Sequence, residues 1–282
     1  MDIKKMFSIV IPTYNRRDLL ERCLSSLLNQ DYPRNKYEII VVDDCSKDNT
    51  KELVKKLQLK NKNIRYIRHE KNKGVAAARN TGIKNSKYDS LIFIDDDCIT
   101  LNNYLKKLDS IIKNKKISCL VGEISLNYNN TITKTIHLNF KQSITNNKYL
   151  YTSNLFVRKK VFNKIGLFDE KLRRGGDTEF DYRVNKYFKI YYNKDLIVKH
   201  NHKYNLRNFY NYNKNVGKSL YLINKTNGEF NLIYFFMGGL YDSIKDTFPK
   251  NIYLFPNYLF GIIIVRFFYF YEYLRESLFS FH

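Results

Sequence analysis

The sequence predicts an α/β fold in which a mostly parallel sheet is flanked by helices, with an aromatic, helical C-terminal extension. Three observations carry this expectation. Short β-branched runs alternate with helically spaced apolar residues over the first hundred positions, polar clusters directly follow several of those runs, and the chain turns strongly aromatic from residue 205.

In chain order, Phe7 to Ile11 is an apolar run of strand length. Leu19, Leu20, Cys23, Leu24, Leu27 and Leu28 then recur at helical spacing, and Glu38 to Val42 forms a second strand. A helix over 50–59, a strand from Ile64 to Ile67, a helix from Val75 to Asn85 and a strand from Leu91 to Ile94 continue the alternation. Residues 127–151 are polar with neither period and read as a connection or flap. Beyond them come a strand from Leu155 to Val157, a short helix from Lys159 to Ile165 stopped by Gly166, a helix from Thr178 to Lys186 and a strand-like run from Leu196 to Val198.

Sheets of this type take ligands beyond the carboxyl ends of their strands. Thr13-Tyr14-Asn15, Asp43-Asp44 and Asp95-Asp96-Asp97 all follow predicted strands and so share one rim. Three adjacent carboxylates raise one another's pKa and call for a cation. A helix N-cap cluster is the structural alternative.

The 282 residues are 44% hydrophobic, enough for one large core or a core with an appendage. A net charge of +22 points to an anionic partner, although a Lys/Asn-biased composition produces the same excess. No nucleic-acid-binding signature accompanies it, so a nucleic-acid partner is excluded. Cys23, Cys45, Cys98 and Cys119 form no CxxC pair and read as free thiols. The run from Met6 to Ile11 is too short for a secretion signal, so a cytoplasmic location is expected. Asn251 to Val265 is uncharged for fifteen residues, yet Pro256 and Asn257 interrupt it. Membrane-interfacial helices, core helices and a span all remain open, and the interfacial arrangement fits the neighbouring Tyr, Phe, Lys and Arg best. Segment 230–282 would then meet an anionic membrane surface, placing the protein peripherally on the cytoplasmic face.

Five motifs follow in register: Ile-Pro-Thr-Tyr-Asn at 11–15, Val-Val-Asp-Asp-Cys-Ser at 41–46, Asn-Lys-Gly at 72–74, Ala-Arg-Asn at 78–80 and Asp-Asp-Asp at 95–97. In this order they resemble the family 2 glycosyltransferases of GT-A fold, over roughly residues 6–200. The resemblance implies a GT-A domain over 1–204, with a donor half (1–100) and an acceptor half (101–204), and an extension over 205–282. It implies an inverting, metal-dependent transfer of a sugar from a nucleotide diphosphate, UDP favoured, to a hydroxyl of a saccharide or lipid-linked saccharide.

Donor-binding residues by this resemblance are Pro12, Thr13, Tyr14, Asn15, Asp43, Asp44, Gly74, Arg79, Asp95 and Asp96. Tyr14 would stack on a pyrimidine. Asp43 or Asp44 would accept the imide N–H of uracil, which cytosine lacks, and Asp96 would reach the ribose. Asp95 and Asp97 match the DxD pair that holds Mn²⁺ or Mg²⁺, with His200, or alternatively His202, completing the set. Arg79 either holds the donor loops or forms a structural ion pair. Asp177 falls on the catalytic base, with Glu179 as the runner-up.

Two departures stand out: Cys98 where many relatives carry Asp, and Gly176 where Glu is common. They leave a catalytically silent binding subunit of the same fold as one alternative. A basic membrane-binding protein is another. A glycoside hydrolase has no need of a diphosphate-binding acidic cluster, and the GxGxxG of a dinucleotide dehydrogenase is missing.

Overall fold

The computed structural model describes residues 5–113, 116–126, 150–172, 176–200 and 271. The predicted flap, apart from its two last residues, His202 and the extension with its candidate membrane segment, apart from Tyr271, lie outside the described residues. The chain divides into two compact units, Met1–Asn127 with Tyr149–His202 and Tyr128–Lys148 with Lys203–His282. The following strands and helices all belong to the first.

Eight strands form one sheet: β1 (Phe7–Thr13), β2 (Tyr37–Asp43), β3 (Ile64–Arg68), β4 (Ser90–Ile94), β5 (Cys98–Thr100), β6 (Cys119–Leu126), β7 (Asn154–Arg158) and β8 (Ile190–His200). Their order across the sheet is β3-β2-β1-β4-β7-β6-β8-β5. The helices are α1 (Arg17–Leu28), α2 (Thr50–Lys60), α3 (Val75–Asn85), α4 (Tyr104–Lys113), α5 (Lys159–Ile165) and α6 (Gly176–Tyr187). Each strand and helix predicted before residue 200 has a counterpart here. The sheet itself is mixed: β3, β2, β1 and β4 run parallel, as do β6 and β8, whereas β7 is antiparallel to β4 and β6, and β5 to β8.

Every residue of β1 and β2 is buried, because helices cover both faces of the parallel half. On one face Leu20, Leu24 and Leu27 of α1 and Leu105 and Leu108 of α4 pack with Ile9 and Ile11. Each such leucine contributes about 1.5–3 kcal/mol on burial. On the other face Ala78 of α3 packs against Ile40 and Val42. Small residues let α3 lie close there, since a Cβ at Gly82 would sit 2.3 Å from Val10 Cγ1. Phe93 continues that face with Phe162, Phe168 and Phe180, their ring centroids 4.4–6.0 Å apart.

Pro12 lies inside β1, where a missing N–H would normally break a ladder. It is tolerated because the pairing of β1 with β4 ends at Val10 and Phe93. At the far side of the sheet the β6–β8 register shifts between Gly122 and Glu123: Gly122 pairs with Asn193, but Glu123 pairs with Ile197. This bulge re-aims the second half of β8 and sets His200 opposite Cys98 in the β5–β8 ladder.

Candidate active site

The loop after β1 is tied to two other strand ends. Thr13 Oγ1 donates to Asp96 Oδ2 at 2.8 Å, and the backbone N–H of Asp44 donates to Thr13 O at 2.9 Å. Asn15, in the left-handed region at φ 52°, receives Lys47 N–H on its side-chain oxygen and donates its own N–H to Ser46 Oγ. That geometry turns Tyr14 outward, 43% exposed at the rim and available for stacking.

Asp43 and Asp44 divide their work. Asp43 is fully enclosed, accepting from Ser46 N–H at 2.8 Å and from the Tyr66 hydroxyl, with Arg68 Nε at 3.5 Å. Asp44 accepts from Lys73 N–H (2.8 Å) and Gly74 N–H (2.7 Å), and meets His69 Nδ1 at 2.7 Å. It thereby holds the loop that launches α3. Gly74 takes φ +94° at that launch, a conformation that disfavours any side chain.

The 95–97 carboxylates separate by partner. Asp96 and Asp97 share Arg16, whose Nη1 lies 3.1 Å from an oxygen of each. Burial, with Asp97 adding to it, lifts the Asp96 carboxyl to about 7, even though Arg16 and Thr13 pull the other way. Asp97 turns its second oxygen to His200 Nε2 at 3.2 Å, and Cys98 Sγ lies 3.8 Å from that same oxygen. Burial, reinforced by Asp95 and Asp97, pushes the Cys98 thiol well up.

Asp95 points instead to Arg79 Nη2 at 3.1 Å, and Arg79 Nη1 reaches Asp177 Oδ1 at 3.0 Å. One buried guanidinium therefore joins the acidic triplet after β4 to the first turn of α6. Burial alone would weaken its charge, but Asp177 and Asp95 more than compensate and raise its pKa. Its neighbour Asn80 exchanges hydrogen bonds with the Phe168 backbone and donates to Glu170 Oε1. The Ala-Arg-Asn motif thus supplies a small packing residue, a bridge and a clamp.

Asp177 also receives Thr152 Oγ1 (2.8 Å) and Thr152 N–H (3.2 Å) on Oδ2, so both its oxygens are oriented. It sits inside the first turn of α6, which begins at Gly176, two residues before the predicted start at Thr178. Its side chain keeps 30% exposure. Glu179, 13% exposed, is bound by Nε and Nη2 of Arg183, which also donates to carbonyls at the end of α5 and just beyond it. At Gly176 a Cβ would meet nothing within 4 Å, so packing does not demand the glycine.

Asp97, Cys98 and His200 each offer one ligand atom, a carboxylate oxygen, a sulfur and a ring nitrogen, within 4.8 Å of one another. Buried anionic and neutral donors converging from two strands suit a divalent cation, so the residues fit the metal expected from the sequence. Asp95 stands apart from this trio on Arg79, and His202 lies outside the described residues. Arg16 and Thr152 escaped the sequence reading. Arg16 directly follows the Thr-Tyr-Asn motif, a usable signal, whereas nothing around Thr152 marks it. Asp181, one turn along α6 from Asp177, is a further omission: burial raises it to about 7.

A family model for glycosyl transferase family 2 matches residues 8–168. The chain is 33% identical over 183 residues to glycosyltransferase AglE of Haloferax volcanii, a match covering 63% of this chain and 60% of that relative. It is 27% identical over 278 residues to a dolichyl N-acetyl-α-D-glucosaminyl phosphate 3-β-D-2,3-diacetamido-2,3-dideoxy-β-D-glucuronosyltransferase of Methanococcus voltae, covering 91% and 85%. Among solved structures, the mannosyltransferase PcManGT of Pyrobaculum calidifontis, in complex with GDP-Man and Mn²⁺, superposes with TM-score 0.70 at 14% identity, over 98% of this chain and 88% of that one. TarS 1–349 of S. aureus in complex with UDP does so with TM-score 0.58 at 20% identity, covering 93% and 90%.

Proposed function

The chain belongs to glycosyl transferase family 2, and from that premise we propose that it moves a sugar with inversion from a nucleotide diphosphate donor, a UDP-sugar by preference, to a hydroxyl of a saccharide or lipid-linked saccharide. The observation that carries this reading is the Arg79 bridge, which couples the Asp95 end of the acidic triplet to Asp177. Donor handling and acceptor activation thereby share one rigid set of side chains.

In this scheme Tyr14 stacks on the base, and the imide N–H of uracil is read beside Asp43 and Asp44. Thr13, Arg16 and the 95–97 carboxylates organise the diphosphate end. A cation held by Asp97 and His200 would neutralise the departing diphosphate, while Asp95 stays paired with Arg79. Asp177, oriented by Arg79 and Thr152, accepts the acceptor hydroxyl's proton. The freed oxygen bonds to the anomeric carbon on the face opposite the carbon–oxygen bond that breaks. Asp177 is favoured over Glu179 because its side chain keeps 30% exposure against 13%, and because Arg79 ties it to the acidic triplet whereas Arg183 ties Glu179 to the end of α5.

The lipid-linked class of acceptor is favoured by the Methanococcus relative, whose name specifies a dolichyl phosphate-linked sugar. The decisive assay is UDP release from a panel of UDP-sugars with Mn²⁺ and lipid-linked saccharide acceptors. Asp177→Asn should abolish turnover while UDP–Mn²⁺ binding persists, and Asp97→Ala should lose both. Metal-dependent nucleotide binding without turnover of any donor would instead support the silent-subunit alternative.

A further inference from the structure

We propose that Cys98 is a metal ligand, and that with Asp97 and His200 it makes the cation site a mixed oxygen, nitrogen and sulfur set that takes Zn²⁺ and Co²⁺ ahead of Mg²⁺. The proposal rests on the metal-binding reading above and specifies which cations that site prefers.

The distances fit. Asp97 Oδ1 lies 3.2 Å from His200 Nε2 and 3.8 Å from Cys98 Sγ, and all three ligand atoms fall within 4.8 Å of one another. Tetrahedral zinc, with bonds of about 2.0 Å to oxygen and nitrogen and about 2.3 Å to sulfur, sets oxygen–nitrogen contacts near roughly 3.3 Å and oxygen–sulfur contacts near roughly 3.5 Å. Asp97 already stands within a few tenths of an ångström of these separations from both partners, and the imidazole and the sulfur, within 4.8 Å of each other, would close to about 3.5 Å around the cation.

The backbone is already arranged for it. Cys98 and His200 are direct partners in the β5–β8 ladder, and Asp97 immediately precedes β5. Buried free cysteines are ordinarily small hydrophobic packing residues. Cys98 packs in the same apolar core as Cys23, but among the described residues only Cys98 also shares a cluster with a carboxylate and an imidazole. As the thiolate binds the cation, the thiol proton leaves to solvent. Mg²⁺ demands oxygen ligands in octahedral array and gains nothing from the sulfur, whereas Zn²⁺ and Co²⁺ accept all three donor types.

The test uses the full chain, freed of metal and titrated with Co²⁺ in the presence of UDP. Wild type should develop a near-ultraviolet thiolate-to-cobalt charge-transfer band, absent from Cys98→Ser although cobalt still binds. Zn²⁺ affinity should fall at least about ten-fold in Cys98→Ser, with Mg²⁺ affinity changed less than about two-fold. X-ray absorption of the zinc-loaded wild type needs no variant and should reveal a sulfur scatterer at about 2.3 Å. Cobalt bound without the charge-transfer band, and zinc without sulfur, would end the role of Cys98 while leaving the cation site and the transferase reading intact. If no divalent cation binds with UDP at all, the metal reading falls and Cys98 with it.

Discussion

Arg79 is nearly inaccessible to water, and its charge is sustained by Asp95 and Asp177 on either side. Removing a buried partner leaves the others uncompensated, so Arg79→Met should destabilise the fold by about 3–5 kcal/mol, seen in thermal unfolding. Arg79→Lys keeps the charge but loses the two-pronged geometry; it should retain much of the stability while kcat for UDP release falls far more than donor KM changes. Asp181 makes a pH-dependent prediction. Burial is the main cause that lifts its carboxyl to about 7 in the folded protein, well above the ordinary carboxylate range. A carboxyl raised in this way contributes stability that is full below the unfolded pKa and is lost as pH rises through the folded one. Among the described residues its Oδ1 has no hydrogen-bond partner. Asp181→Asn should therefore gain on wild type by about 2–3 kcal/mol more at pH 8 than at pH 5 in thermal or denaturant unfolding.

The β6–β8 bulge is held by Asn154, whose amide donates to Glu123 O and Leu196 O while its oxygen accepts from the Tyr104 hydroxyl. A Cβ on Gly122 would come within 2.3 Å of both Asn154 Nδ2 and Leu196 O. Gly122→Ala should cost about 2–4 kcal/mol in unfolding experiments and weaken metal-dependent UDP binding, because the same bulge aims His200. The legible elements are those whose local pattern suffices. In α1 and α3, and in β1, β2 and β4, apolar spacing and continuous apolar runs name the element without tertiary help. β5 is three residues long, β6 contains Gly122 and Glu123, and the first half of β8 is cut by Asn193-Lys194-Asp195, so only its closing apolar run reads as strand. α4 does carry a signal, with Tyr104, Leu105, Leu108 and Ile112 buried along one side. In the site, motif residues could be named, but their partners could not. The Arg16, Arg79 and Thr152 contacts join residues as far as 98 positions apart, and no local pattern encodes such pairings.

In the first compact unit, the antiparallel insertion of β7 lets β6, β8 and β5 extend the parallel half, β3 to β4, into one continuous sheet. The acidic triplet precedes β5 directly, so a single platform presents residues from both halves of the sequence. Among the described residues no helix is long and apolar enough to cross a membrane. The net charge of +22 still favours an anionic surface. The full chain should float with vesicles rich in anionic lipid and be released by high salt, whereas a version lacking 230–282 should remain with the unbound fraction. Under the proposed transfer, the bridge formed by Arg79 makes donor grip and acceptor choice hard to evolve separately. Selection for a bulkier acceptor that displaces the start of α6 will loosen the hold on the sugar nucleotide, and suppressors of that defect should arise on α3.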